Sequence, residues 1–219
     1  MWSSEVTNMI ITGIWETLYM TLVSTLVGYV IGLPMGIVLT VSDKDGIKPN
    51  AVLYKILDVI ANIVRSVPFI ILLVLLIPFT RLVVGKSYGS TATIVPLVIA
   101  AAPYIARMVE SSLKEVDAGV IEAARSMGAS NFTIITKVML VEARTSLLVG
   151  ATITLGTILG YSAMSGAVGG GGLGAIAIRY GYTRWQTDIM IVTVILLIIL
   201  FQIFQTVGMK LADKFDHRK

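Results

Sequence analysis

Apolar residues run in long, nearly unbroken stretches separated by short charged intervals. A helix needs about 20 mostly apolar residues to cross a bilayer core of about 30 Å. Five stretches meet or approach that length: 17–41, 56–79, 91–108, 146–164 and 189–209. Residues 9–16, with Trp15, read as an interfacial lead-in to the first. The second carries Arg65 and Pro68 in its first half, and the third is short and holds Pro96 and Pro103. Asp188 is placed to cap the fifth. No strand pattern and no convincing internal repeat is present. Helices satisfy their backbone polar groups internally, so the pattern predicts an all-α integral membrane protein, with residues 1–219 as a single transmembrane domain of five helices.

Composition agrees with that reading. The chain is 56% hydrophobic and 14% charged, where a soluble domain carries about 25% charged residues. It has no cysteine, which excludes disulfides and thiolate metal sites, and its one histidine, His217, lies in the tail. No catalytic residue and no metal site is expected. Glu5 and the lack of any Lys or Arg before Lys44 do not fit the basic start of a cleaved signal, so the first span is expected to be retained.

The net charge of +4 is explained by its distribution rather than by a nucleic-acid partner. Lys44, Lys48 and Lys55, then Arg107, Lys114, Arg125, Lys137 and Arg144, then Lys210, Lys214, Arg218 and Lys219 fall on one set of connections. The opposite set holds Arg81, Lys86, Arg179 and Arg184. Basic residues favour the cytoplasmic side, so the C-terminus and the loop at 109–144 are predicted inside and the N-terminus outside.

Gly169, Gly171 and Gly174 spell a G-x-G-x-x-G pattern within an outer segment at 165–187. A dinucleotide fingerprint needs a strand before it and a helix after it, and here a membrane span precedes it. Ala175 and Ile176 follow Gly174, where a phosphate loop needs Lys and then Ser or Thr. The glycines therefore predict an end to the fourth helix and a close backbone fold across its mouth. Gly170 and Gly171 are candidates for a hinge and lip of an outer gate, with Ser162, Met164 and Ser165 beside them. Met164 is flexible and polarizable enough to close a gate, and equally suited to filling a core.

The loop at 109–144 is too long for a helix–helix turn, usually about 2–8 residues. Asp117 can cap a helix whose apolar face is Val120, Ala123, Ala124 and Met127, and Gly128 suits the left-handed position that ends it. Ser130 or Asn131 can start a second helix carrying Phe132, Ile135, Val138 and Met139. The pattern fits two helices lying on lipid, and it fits a docking surface for another protein's groove.

Glu122-Ala123-Ala124, with Gly128 after three intervening residues and then Val138 and Leu140, resembles the EAA motif of ABC importer permeases. Val141 stands where that motif usually has proline, which bears on the bend after the second short helix. Residues 13–25 resemble the start of the first helix in these permeases, and residues 65–81, 101–110 and 160–182 are similar to their methionine-uptake branch, so the resemblance covers nearly the whole chain. It implies two ATP-binding cassette subunits at the cytoplasmic face that bind the ATP and Mg, leaving this chain without a cofactor. It also implies that Glu122 and Arg125 make polar contacts to an ATPase groove, Ala123 and Ala124 allow close approach, and Gly128 permits the turn. An external substrate-binding lipoprotein, methionine as substrate and a bacterial cytoplasmic membrane follow from the same resemblance.

Five helices enclose little room for an amino acid, so a two-fold homodimer with the pathway between copies is expected. Transport would then proceed by alternating access. Arg65 is the charge set deepest in a predicted span. It reads as a snorkelling side chain, with Asp58 seven residues earlier on its face, or as part of a gate. A permease for another amino acid or small organic ion stays open. An ion-coupled secondary transporter is disfavoured, since the helix centres lack Asp, Glu and His.

Overall fold

The computed structural model describes residues 4–215, so His217, Arg218 and Lys219 lie outside it. The described residues form helices and short connections without strands. Helix α1 covers Ser4–Ser42, and the expected interfacial lead-in is its first part. Next come α2 (Ala51–Ser66), α3 (Phe69–Leu75), α4 (Ile77–Val84) and α5 (Ser90–Lys114). A short pair follows: α6 (Ala118–Ser126), then a helical stretch made of α7 (Asn131–Thr133), a π-turn at Ile134–Met139 and α8 (Leu140–Glu142). Helix α9 is Arg144–Ser165, α10 is Gly172–Ile176 continuing as a π-helix over Ala177–Tyr182, and α11 is Thr187–Lys214. Four helical stretches are long and apolar enough to cross a membrane, and the bent pair α2 and α3 makes a fifth if it is counted as one span.

That break corrects the expected continuous helix at 56–79. α2 and α3 meet at 101°. Pro68 is the cause: the ring clashes with a helical residue before it, and Val67 sits extended at φ −80°, ψ 124°. A second interruption at Leu76 separates α3 from α4, whose first turn holds Pro78. The expected third span is longer than its apolar run. α5 absorbs Pro96 and Pro103 and continues to Lys114, so Arg107 and Glu110 belong to a helix and not to the loop. Asp188 does not cap α11. The cap position is Gln186 without a side-chain bond, and Asp188 lies in the first turn, where a carboxylate favours the helix dipole.

The bundle is organised around α1 against α5. Gly28, Gly32 and Gly36 recur every four residues on one face of α1. A Cβ on Gly32 would lie 2.6 Å from the Ala102 carbonyl oxygen, and one on Gly36 would lie 2.6 Å from that of Ala106. The two backbones approach because the first helix carries no side chain there, a packing mode suited to membranes. Met20, Leu97, Ala101, Ile105 and Val109 are buried around this crossing. Gly156 of α9 receives the Phe201 ring of α11, while Gly160 has no heavy atom within 4 Å of a built Cβ. The α9 glycines therefore divide between packing within the chain and an uncovered face.

Candidate functional site

The two short helices form where the turn chemistry places them. Asp117 accepts a hydrogen bond from the Gly119 amide at 2.7 Å and starts α6. Gly128 takes φ +78°. Its amide donates to the Arg125 carbonyl at 3.0 Å, and the Ala129 amide donates to that of Ala124 at 3.1 Å. That pair of bonds is the Schellman ending of a helix. Ser130 caps the next helix by accepting from the Thr133 amide at 3.2 Å. The stretch then runs on through Leu140 and Val141 to a break at Ala143 before α9, so the bend occurs without a proline.

The expected single apolar face of α6 is split in two. Ala124 is buried against the bundle and half-buried Ile121 packs beside it. Val120, Ala123 and Met127 point outward, with Met127 82% exposed and Phe132 of the next helix 76% exposed. Of the coupling candidates, Glu122, Ala123, Arg125 and Gly128 are exposed, whereas Ala124 faces in. Arg125 donates through Nη2 to the Ile47 carbonyl oxygen at 2.8 Å, tying α6 to the α1–α2 connection. A cleft of about 580 Å³ lies between them, lined by Asp43, Lys114, Glu122 and Arg125 among others.

Behind α6 is a charge cluster that the sequence reading did not identify. Arg107 pairs with Asp58 of α2, and with Glu110 at 2.7 Å. Lys114 pairs with Glu110 at 2.8 Å and with Asp43 at 2.7 Å. Asn62 accepts from Arg107 at 3.0 Å, and the Tyr54 hydroxyl donates to Glu110 at 3.3 Å. The hydrogen bond from Lys114 holds the Asp43 carboxyl below its ordinary range. Asp58 is thus committed to Arg107 and not to Arg65. The signal in the sequence is Arg107, Glu110 and Lys114 at three- and four-residue spacing, which lies past the end of the apolar run.

At the other end of the bundle, the glycine segment is pinned and not a free lip. The Gly89 amide donates to the Gly169 carbonyl at 2.8 Å, and Thr93 Oγ1 donates to that of Gly170 at 3.2 Å. The Gly170 amide donates to the Ser165 carbonyl at 2.9 Å. Glu16 accepts from the Gly172 amide at 2.7 Å, and Thr17 Oγ1 accepts from the Leu173 amide at 2.9 Å. One short segment therefore ties α1, α5, α9 and α10 together. Ser162 and Ser165 are buried and donate to carbonyls three residues back, at 2.8 and 2.6 Å. Met164 is 52% exposed and shares an uncovered face of α9 with Ile153 and Gly160.

Arg65 is exposed on the chain's surface beside a small cavity of about 150 Å³. Its guanidinium lies 5.9 Å from the centroid of the Tyr104 ring. Phe69 and Tyr161 stack with centroids 4.4 Å apart in the same cavity wall.

A bundle of long apolar helices that offers a capped, exposed short helix at one end has the build of a transporter's membrane subunit. Residues 28–218 match the family of binding-protein-dependent transport system inner membrane components, and the chain belongs to that family. A Vibrio cholerae protein named probable D-methionine transport system permease protein MetI is 48% identical over 99% of this chain and 96% of its own length. The Bacillus subtilis methionine import system permease protein MetP is 43% identical over all of both chains. A chain from the MetNI methionine ABC transporter, solved in inward-facing conformations, superposes with a TM-score of 0.96 at 49% identity, covering 99% of this chain and 100% of that one. An amino acid ABC transporter solved with histidines has the same fold, at a TM-score of 0.73 and 22% identity.

Proposed function

We infer that this chain is the permease subunit of an ATP-driven importer that carries methionine across the cytoplasmic membrane by alternating access. The observation that carries the substrate is the near-complete overlap, in sequence and in backbone, with proteins named for methionine transport. The chain spans the membrane five times, with α2–α3 as its broken span. Lys44, Lys114, Arg125 and Arg144 cluster at one end, linked by the Lys114–Asp43 pair and the Arg125–Ile47 bond. That basic end is the cytoplasmic one, so the N-terminus faces outward and the C-terminus inward.

Two copies assemble around a two-fold axis, and the uncovered α9 face with Met164 lines the path between them. Each copy presents α6 to one ATP-binding cassette subunit, which binds the ATP and Mg and performs hydrolysis. An external binding protein delivers methionine to the glycine-clasped end. The exposed Val120, Met127 and Phe132 supply apolar contact to the ATPase groove, and Glu122 supplies a polar one. Vesicles holding this chain, its ATPase and its binding protein should accumulate labelled methionine only with internal ATP. ATP-independent uptake, or uptake of a different substrate alone, would overturn the reading. Glu122→Lys should leave the permease in the membrane and lower uptake at least about tenfold, as expected for a reversed charge in a desolvated contact. Uptake at the wild-type rate would remove Glu122 from the interface.

A further inference from the structure

We propose that Arg65 receives the carboxylate of the substrate inside the membrane pathway, a role that rests on the methionine-permease reading. Tyr104, the ring partner of the Arg65 guanidinium, sits about 15 Å along α5 from Lys114 and about 21 Å from Ser90, at 1.5 Å per residue. Tyr104 lies one turn, about 4.5 Å, beyond Arg107 of the charge cluster, so the guanidinium sits on the apolar side of that cluster. A charge there is expensive unless it faces a polar cavity or a partner.

No acid of the described residues is left over to neutralise it. Asp58, the acid nearest on its own helix, is bound by Arg107, and Glu110 is bound by Arg107 and Lys114. Glu16 is engaged at the opposite end by the Gly172 amide. The other acids of the described residues lie in connections, in α6 or near helix ends. A second copy of this chain therefore has no uncommitted mid-span carboxylate to offer across the two-fold axis. The guanidinium keeps its hydrogen-bonding fork, and a fork of that shape matches a carboxylate bidentately.

The cavity wall fits the rest of an apolar amino acid. The stacked Phe69–Tyr161 pair and the Tyr104 ring present aromatic surface within the same pocket. A thioether is attracted to such rings. Pro68 makes the arrangement possible. By ending α2 one residue after Arg65 and turning the chain through 101°, it sets the cation beside Phe69 at the start of α3.

The same fork would also fit a lipid phosphate, and the experiment separates the two. Assembled transporter is reconstituted with wild-type permease, Arg65→Lys or Arg65→Gln, in membranes with and without phosphatidylglycerol. Methionine uptake and binding-protein-stimulated ATP hydrolysis are measured together. Arg65→Gln should lower uptake about tenfold or more, in line with loss of a charged hydrogen bond, while hydrolysis continues at the wild-type rate. Arg65→Lys should fall between the two, and both effects should persist without anionic lipid. Wild-type uptake by Arg65→Gln overturns the assignment. So does a defect present only with phosphatidylglycerol, which would make Arg65 a headgroup anchor, and so does parallel loss of uptake and hydrolysis, which would make it structural. Failure of the wild-type complex to import methionine would instead overturn the substrate reading itself.

Discussion

Arg107→Met should destabilise the isolated permease by about 3 kcal/mol, whereas Glu110→Gln should cost much less. The asymmetry comes from counting charges around α5. Asp43, Asp58 and Glu110 face Arg107 and Lys114, so the cluster has one more acid than base. Removing Arg107 leaves Asp58 and the nearly inaccessible Glu110, 6% exposed, beside each other with Lys114 as the sole cation. Breaking a buried pair costs about 3–5 kcal/mol because the surviving charge stays desolvated. The lower end applies because Asp58 is 30% exposed and keeps some contact with water. Neutralising Glu110 leaves two complete pairs, Arg107–Asp58 and Lys114–Asp43. Denaturing-detergent titration followed by circular dichroism should show a shift in the folding equilibrium of roughly a hundredfold for Arg107→Met. Adding Asp58→Leu to Arg107→Met should recover part of the loss. Equal stability of Arg107→Met and wild type would mean that the cluster is solvated and contributes little.

The cluster also marks how far sequence reasoning could reach. Apolar run length located the four long apolar helices because lipid imposes one requirement on all of them. Turn chemistry at Asp117, Gly128 and Ser130 was legible because those residues act on their immediate neighbours. What could not be read depended on partners distant in the chain. α5 continues past its apolar stretch because Asp58 and Asp43 receive Arg107 and Lys114 from other helices. The splitting of the α6 face needed the position of the bundle, since spacing alone does not say that Ala124 turns inward while Ala123 does not. The 101° break was foreshadowed by Pro68, but the angle is set by what α2 and α3 pack against.

The glycine segment changed most, and the double substitution Gly170→Ala with Gly171→Ala should abolish uptake while leaving the ATPase bound. Two separate physical costs act. Gly170 is buried, and a Cβ there would lie 2.7 Å from the Ser165 Cβ and 2.8 Å from the Ser165 carbonyl oxygen. That carbonyl also accepts the Gly170 amide at 2.9 Å, so neither group can withdraw without breaking the bond. Gly171 has φ 89°, ψ −170°, a region open essentially to glycine, and its Cβ would approach Glu16 Oε2 to 2.9 Å. Glu16 would then have to release the Gly172 amide that holds α10 to α1. Each cost is on the order of 1–3 kcal/mol, and together they exceed what one short segment can absorb. α6 lies at the opposite end of the bundle, so ATPase association should persist in pull-downs from detergent extracts. A single variant isolates the conformational cost. Gly169→Ala has room, with its nearest neighbour at 3.9 Å, but carries φ +85°, so it should show a partial loss from backbone strain alone. If the segment served only as a loose hinge, Gly169→Ala and the double variant would be impaired alike. A clasp predicts the graded order, and wild-type uptake by the double variant would exclude it.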